Sequence, residues 1–143
     1  ERGWFGQKTS KGYYLYGEGV EFLTPNPEIE IICNEERKRV GITPKNFSDQ
    51  EILDRYIAAM VYEGTKILSE QIALKPSDID VVFTNGYGFP KWRGGPMKYA
   101  DIIGLDKILK NIKNYSEEDD RFWAPPKLLE DLVKQNKNFD SLN

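Results

Sequence analysis

The segment "KPSDIDVVFTNG", residues 75–86, decides the fold class because its apolar side chains fit two different structures. Ile79, Val81 and Phe83 alternate as in a half-buried strand, whereas Ile79, Val82 and Phe83 have the spacing of a helix face. A strand here, followed by glycines and a helix, would indicate the nucleotide-binding unit of an α/β protein. A helix here would leave the chain without such a unit.

The start and stop signals around this segment favour the helix. Pro76 suits the first helical position, and Ser77 and Asp80 have the three-residue spacing of a capping box. Gly86 is typical of a helix end. We therefore predict a short helix that ends near Gly86, with Asp80 capping the first turn of that same helix.

The glycine-rich run "TNGYGFPKWRGGPMKYAD", residues 84–101, follows this predicted helix. It does not match a dinucleotide-binding loop, because Lys91 stands where the third glycine is required, and it contains no Gly-Lys-Ser/Thr step. Phosphate-binding glycine loops also follow a strand, not a helix. We therefore predict a tight connection between helices, in which Gly94 and Gly95 let the backbone pass into a helix that begins at Pro96.

Two interpretations of the cationic centre of this run are open. In the structural one, Arg93 binds helix-end carbonyls or a carboxylate such as Asp101, and Trp92 is buried beneath it. In the functional one, Lys91, Trp92 and Arg93 bind the phosphates of CoA or of an adenine nucleotide. Pairing within the fold is the commoner fate of a single arginine, so the structural interpretation is favoured.

A second capping box, formed by Ser48 and Glu51, begins a long core helix. Its apolar positions recur at three- and four-residue spacing: Ile52, Leu53, Tyr56, Ile57, Met60, Val61, Gly64, Ile67, Leu68 and Ile72. Gly64 has no side chain to separate this helix from a neighbour. We expect another helix to approach closely there.

Further helices are predicted on both sides of these segments. Asn26 and Pro27 begin a helix that ends at Gly41 and places three apolar side chains on one face, namely Ile29, Ile32 and Cys33. After the Pro96 helix, two amphipathic patterns are recognised by their apolar positions: Leu105, Ile108, Leu109 and Ile112, then Leu128, Leu129, Leu132 and Val133. The tyrosines of residues 1–16 favour only a short extended segment. Strands and helices do not alternate, so the fold class is all-α.

Composition excludes several classes of function. The 143-residue chain has a net charge of -3, which disfavours a nucleic-acid partner. It contains no histidine, so catalysis by a Ser–His or Cys–His pair and most transition-metal sites are excluded. Its one cysteine, Cys33, permits no internal disulfide and is expected to be a buried thiol. We predict neither a catalytic residue nor a metal ligand.

The remaining acidic residues give no sharper signal. The acidic run Glu117–Asp120 is expected to be solvated, because adjacent acids in a polar loop usually are. Glu63 lies among apolar positions of the long helix, where it is either a buried acid or the partner of a nearby lysine or arginine.

The sequence gives three indications of where the protein is located. No apolar run approaches the roughly 20 residues of a membrane span. The chain begins at Glu1, not at Met, and is expected to be a piece of a longer protein; its end, "NFDSLN", carries no peroxisomal or retention signal. The single cysteine fits a reducing compartment, and we expect a cytoplasmic location.

Two stretches resemble a known family. "FGQKTSKGYYLY", residues 5–16, resembles the closing motif of the C-terminal helical domain of 3-hydroxyacyl-CoA dehydrogenases. Residues 48–106, which include "GYGFPKWRGGPMKYAD", are similar to the second copy of that domain in multifunctional fatty-acid β-oxidation enzymes. The resemblance implies an all-α fold of the 6-phosphogluconate dehydrogenase C-terminal type. It also implies three parts: residues 1–16 as the tail of a first repeat, 17–47 as a linker with one helix, and 48–143 as the second repeat.

The resemblance implies a function for a parent enzyme and not for this chain alone. In that family a Rossmann domain binds NAD and supplies a catalytic His–Glu pair, and 3-hydroxyacyl-CoA is oxidised to 3-oxoacyl-CoA, often beside an enoyl-CoA hydratase domain. The helical copies complete the acyl-CoA cleft and mediate association. This chain has no Rossmann fingerprint, so the fragment is expected to be inactive and to bind no cofactor itself, with NAD bound in the parent.

One departure from the family pattern argues against a second substrate site. The catalytic copy of the helical domain carries an Asn-Arg pair whose asparagine contacts substrate, and Asp54-Arg55 stands at the matching place here. No catalytic residue is therefore carried over. The expected partners are the Rossmann domain and first helical repeat of the parent chain and acyl-CoA in the parent. Self-association and a thiolase subunit are the further partners considered.

Two alternative functions are left open. The fragment is a CoA- or adenine-nucleotide-binding module acting through Lys91, Trp92 and Arg93, or it is a module that associates with itself through its aromatic N-terminal segment. No membrane span and no nucleic-acid partner are expected in either case.

Overall fold

The computed structural model describes residues 2–17 and 24–143, and these fall into two compact units, Glu1–Asn46 and Phe47–Asn143. In the described part of the chain the regular structure is six α-helices, three short 3-10 turns and one pair of two-residue strands. The all-α fold class is therefore confirmed. None of the described helices is both long enough and apolar enough to cross a bilayer.

The first unit contains a small antiparallel ladder and one helix. Strands β1 (Tyr14–Leu15) and β2 (Thr24–Pro25) pair, and helix α1 spans Pro27–Val40. The predicted linker from residue 17 thus contains a strand at its described end, while residues 18–23 lie outside the described residues. Asn26 links ladder and helix, because its amide nitrogen donates to the Gly12 carbonyl and its oxygen accepts from the Glu28 amide.

The predicted bounds of α1 are confirmed, but its predicted buried thiol is wrong. Gly41 ends the helix in the left-handed region with φ of 75°, as expected of a glycine C-cap. Ile29, Ile32 and Cys33 lie on one face and are only half-buried, and α1 has no fully buried residue. The physical reason is that the described part of this unit is too small to cover a helix face.

The second unit is built from five helices. They are α2 (Asp49–Ser69), α3 (Pro76–Gly86), α4 (Pro96–Ile103), α5 (Leu105–Ser116) and α6 (Lys127–Lys134). Two 3-10 turns, Lys91–Arg93 and Phe139–Leu142, complete it. Each helix predicted from the sequence in this region is confirmed, and the Ser48–Glu51 capping box is present with both of its reciprocal bonds.

Helix α2 runs through the middle of this unit and packs against α3, α4, α5 and α6. The core is a single cluster, whose largest fully buried side chains are Phe139, Met97, Ile112, Leu129 and Val61. Gly64 lies at the contact of α2 with α4, because a Cβ there would come within 2.6 Å of the Met97 sulfur. The predicted close approach of another helix is confirmed.

The predicted apolar stripe of α2 is right in its second half and wrong at its ends. From Ile57 to Thr65 most positions are buried. Ile52, Leu53, Tyr56 and Ile72, which fit the same spacing, are exposed. Spacing alone marks a helix face, but the face is longer here than the helices available to cover it.

The loop between α5 and α6 is held by aromatic contacts. The Trp123 ring lies 4.9 Å from Phe122, 5.1 Å from Tyr115 and 6.1 Å from Tyr62, measured between centroids. Arg55 of α2 donates to both carboxylate oxygens of Glu118 at 2.9 and 3.0 Å, and stacks on Tyr115. Because the rest of the acidic run Glu117–Asp120 is exposed, the loop is solvated on one side and anchored on the other.

Candidate functional site

The glycine-rich connection between α3 and α4 is the candidate site, and its backbone uses conformations that favour glycine. Gly88, Gly94 and Gly95 have φ values of 70°, 83° and 114°. Gly94 ends the Lys91–Arg93 turn, and Gly95 leads directly into α4 at Pro96. The predicted helix-to-helix connection is confirmed.

Asp80 holds this connection in place. Its carboxylate, which is 8% exposed, accepts hydrogen bonds from the Met97 amide at 2.7 Å and the Lys98 amide at 3.0 Å. These are orphan donors in the first turn of α4, a place where a carboxylate is favoured by both hydrogen bonding and the helix dipole. Gly95 is required beside it, because a Cβ there would lie 2.4 Å from the Asp80 side chain.

This contact corrects the predicted capping box of α3. Asp80 does not cap its own helix with Ser77; it caps α4, which begins sixteen positions later at Pro96. The first turn of α3 is capped instead by Asp78, whose side chain accepts from the Lys75 amide at 3.1 Å, and the Ser77 amide donates to Asn143. The predicted box is wrong because α3 begins at Pro76, so Ser77 lies inside its first turn and is not its N-cap.

Arg93 and Trp92 differ from the structural interpretation. The Trp92 side chain is 79% exposed and not buried. The Arg93 guanidinium carbon lies 4.4 Å from the Trp92 ring centre and 4.2 Å from the Tyr99 ring centre, so the cation is stacked on aromatic rings. Asp101 is not its partner, because the Asp101 carboxylate accepts from the amides of Phe139 and Asp140 at 2.8 and 2.9 Å.

An apolar groove of about 260 Å³ opens beside Arg93. Its walls come from α2, from the end of α3 and from the connection, and its lining is Leu53, Tyr56, Ile57, Phe83, Tyr87, Gly88, Phe89, Pro90, Trp92 and Arg93. Of the three predicted phosphate-binding residues, Trp92 and Arg93 therefore lie in the groove, while Lys91 is exposed and outside its lining. The groove residues of α2 and α3 are not recognisable from the sequence, because their spacing predicts core positions.

Two carboxylates of this region, the buried Asp80 and the half-buried Asp101, are engaged by backbone amides. Burial raises the pKa of Asp80 and of Asp101 above the ordinary value, although the amide hydrogen bonds to each of them act in the opposite direction. The Asp140 side chain pairs with the Lys98 ammonium, which raises the pKa of Lys98. Asp80 and Asp101 bind the first amides of a helix and of a 3-10 turn, and none of these four side chains is part of the groove lining.

Other residues singled out in the sequence have structural surroundings. Glu63 is exposed and pairs with Lys66 at 3.4 Å, so it is not a buried acid. Within residues 2–17 and 24–143, no three acidic or cysteine side chains are grouped as a metal site would require.

Comparison with known proteins gives a consistent family. The family description "3-hydroxyacyl-CoA dehydrogenase, C-terminal domain" matches residues 52–140, more than half of the chain. The chain is 42% identical over 136 residues to a peroxisomal bifunctional enzyme of Danio rerio, covering 93% of this chain and 19% of that protein. It is 39% identical over 120 residues to the Homo sapiens peroxisomal bifunctional enzyme, covering 83% of this chain and 17% of that protein.

A plant relative extends the same similarity. A peroxisomal fatty acid beta-oxidation multifunctional protein of Oryza sativa subsp. japonica is 33% identical over 135 residues, covering 92% of this chain and 18% of that protein. The chain thus spans about a fifth of the length of the curated relatives that it matches.

Proposed function

The chain belongs to the family of 3-hydroxyacyl-CoA dehydrogenase C-terminal domains, and from that premise we propose that it is the non-catalytic helical part of a multifunctional β-oxidation enzyme. In the parent, 3-hydroxyacyl-CoA would be oxidised to 3-oxoacyl-CoA with NAD bound elsewhere. The parts proposed are residues 1–16 as the tail of a first helical repeat, 17–47 as a linker and 48–143 as the second repeat.

The observation that carries this proposal is that the carboxylates beside the connection are engaged by backbone amides. Asp80 and Asp101 each accept two backbone amides at the start of a helical turn. A carboxylate held in this way stabilises the fold by accepting amides that begin a helix or a turn, and neither Asp80 nor Asp101 lines the groove. The sequence also contains no histidine to serve as a general base near neutral pH.

A packing role is supported by apolar side chains that this chain leaves in contact with solvent. Ile52 of α2 and Val81 and Val82 of α3 are all more than half exposed. Exposed apolar patches commonly mark surfaces that associate with another part of a protein. We propose that they are covered in the parent by the Rossmann domain or the first helical repeat.

The compartment follows the relatives in this proposal. Their names include peroxisomal and glyoxysomal enzymes, which is not the cytoplasmic location that we expected from the single cysteine. We propose a peroxisomal or glyoxysomal location for the parent enzyme.

The activity test uses the purified chain with NADH and acetoacetyl-CoA. We expect no loss of NADH absorbance, while the full-length zebrafish relative serves as the positive control. Turnover by this chain alone would contradict the proposed non-catalytic role.

The packing test compares one substitution in two settings. Val82→Lys is expected to leave the melting temperature of the isolated chain unchanged, because Val82 is more than half exposed there. In the parent enzyme the same substitution is expected to lower the melting temperature, because it would place a charge in a buried interface. If Val82→Lys leaves the melting temperature of the parent enzyme unchanged as well, this face is not covered in the parent.

A second candidate, CoA or adenine-nucleotide binding by Lys91, Trp92 and Arg93, is supported by one observation. The Trp92 ring is largely open to solvent and lies beside the Arg93 guanidinium, so a base has a surface on which to stack. Calorimetry with CoA tests it: we expect weaker binding by Arg93→Ala, and an unchanged affinity would remove these residues from consideration.

A further inference from the structure

We propose that the groove beside Arg93 binds a small amphipathic carboxylate, that is, one carboxylate carried by a short apolar body. The Arg93 guanidinium binds the carboxylate, and the side chains of α2 and α3 contact the apolar body. This site goes beyond the proposed packing role, and its ligand differs from a nucleotide because it needs one charge and no polyphosphate.

The apolar part of the ligand is indicated by the walls of the groove. Leu53, Ile57, Phe83 and Phe89 present hydrocarbon, and the rings of three more residues, Tyr56, Tyr87 and Trp92, stand at its edge and are largely exposed. Removing such surface from water favours binding of an apolar body. At about 260 Å³ the groove is smaller than the roughly 300–1,000 Å³ of sites for drug-sized ligands, so it suits a small molecule.

The charge of the ligand is indicated by the state of Arg93. Arg39 and Arg55 each pair with a glutamate, but Arg93 pairs with no carboxylate among residues 2–17 and 24–143. The acids of the same region do not compete for it, because Asp80 and Asp101 accept backbone amides. An unpaired cation at an apolar surface attracts an anion more strongly than it would in water.

The geometry of Arg93 favours a carboxylate in particular. The rings of Trp92 and Tyr99 lie 4.4 and 4.2 Å from the guanidinium carbon and hold it in place by stacking. Stacking engages the faces of the guanidinium, whereas its N–H donors lie in its plane and match the two oxygens of a carboxylate. Lys91 lies outside the groove lining, so a polyphosphate would find only one cation there.

The test titrates the isotopically labelled chain with four probes and follows backbone and Arg93 side-chain resonances by NMR. Octanoate is expected to shift resonances of residues 87–93 in a saturable way. Octanol, octylamine and acetate are each expected to bind at least about tenfold more weakly, since octanol and octylamine lack the negative charge and acetate lacks the apolar body. Equal binding of octanol, of octylamine or of acetate would overturn the proposal.

Two variants and one control complete the experiment. Arg93→Gln is expected to weaken octanoate binding about tenfold, and Leu53→Trp is expected to block it by filling the groove. Lys107→Gln, an exposed change on α5 outside the groove lining, is expected to leave the affinity unchanged. Octanoate affinity that survives Arg93→Gln in a folded chain would overturn the assignment of the carboxylate.

Two other occupants of the groove are distinguished by the same spectra. Resonances of residues 87–93 that shift with protein concentration alone would mean that a second copy fills the groove, and this would overturn the proposal. Tighter binding of CoA than of octanoate at the same resonances would assign the groove to the nucleotide and also overturn it. If Arg93→Gln fails to fold, the four-probe comparison on the unmodified chain still decides.

Discussion

Asp80 shows how one side chain can determine the path of a connection. Its carboxylate lies on α3 but binds the Met97 and Lys98 amides of α4, so it fixes where the next helix begins. Removal of the carboxylate would leave two amides of a helix start without their acceptor, and one of them is buried.

Asp80→Ala is therefore expected to lower the free energy of unfolding by about 2–3 kcal/mol, the combined effect of a lost cap and a buried unsatisfied amide. Urea denaturation followed by circular dichroism measures it. Asp78→Ala is the matched control: Asp78 is exposed and caps α3 through one bond, so we expect a loss of only about 0.5–1 kcal/mol. Equal losses would contradict the assigned role of Asp80.

Gly95 offers a second test at the residue scale. Gly95→Ala is expected to destabilise the chain by about 3 kcal/mol, because its φ of 114° strains any side chain and its Cβ would overlap Asp80. Gly86→Ala is the control, since no atom lies within 4 Å of that Cβ and φ is not positive. There we expect a gain of about 0.5 kcal/mol in thermal melts. Similar changes in stability for the two substitutions would contradict the requirement for glycine at position 95.

The same residues mark the limit of prediction from sequence. The roles of Gly41 and Gly94 at the end of a helix or turn are predictable from the local sequence, because glycine is the usual residue at such positions. The local sequence predicts that Asp80 caps α3, whereas in the structure it caps α4, through a contact across the connection. The structural interpretation placed Trp92 beneath Arg93, yet whether a large apolar residue is covered depends on which helices surround it.

At the scale of elements, Arg55 connects α2 to the loop between α5 and α6. It binds Glu118 and stacks on Tyr115, and its side chain is only about a quarter exposed. A cycle of Arg55→Gln and Glu118→Gln is expected to give a coupling free energy of about 0.5–1 kcal/mol that decreases in high salt.

Chemical denaturation of the four chains of this cycle, at low and at high salt, provides the measurement. Lys66→Gln with Glu63→Gln is the matched cycle, since that pair lies in one exposed turn of α2. It should give a smaller coupling free energy. A coupling of zero for Arg55 and Glu118 would show that stacking alone holds the loop.

Elements were more predictable than the contacts between them. The six helices begin and end at signals within a few residues, such as the Ser48 capping box and Pro96, and these signals act whatever surrounds them. The groove was not predictable, because Leu53 and Tyr56 fit the apolar spacing of α2 and only the positions of its neighbours show that they are uncovered. A helix period identifies a face and not its partner.

At the scale of the whole molecule, buried acids give stability an unusual dependence on pH. The pKa of Asp80 and of Asp101 is near 3.8 in the unfolded chain and is raised by burial in the folded one. Between these two values the folded state binds more protons, so their contribution to the free energy of unfolding falls as the pH rises through that window. The contribution of Glu51 to the free energy of unfolding changes with pH in the opposite direction. Hydrogen bonds from Ser48 lower the pKa of Glu51, so its contribution is lost as the pH falls.

We therefore expect the stability of the chain, relative to Asp101→Asn, to decrease as the pH rises from about 4 toward neutrality. Relative to Glu51→Gln, the stability of the chain should increase as the pH rises through the acidic end of the range. Urea denaturation at a series of pH values measures both differences. Parallel curves for the chain and Asp101→Asn would contradict the effect of burial on this carboxyl group.

The contrast between Trp92 and Trp123 has a spectroscopic consequence for the whole chain. Trp92 is 79% exposed and Trp123 only 9% exposed, so their fluorescence should differ in emission wavelength and in access to a quencher such as acrylamide. With Trp4 replaced by phenylalanine, quenchable long-wavelength emission would report events at the groove, and protected emission would report the packing of α5 and α6. Ligand binding at the groove and unfolding of the core could then be followed separately in one sample, from the fluorescence of two indoles of the same polypeptide.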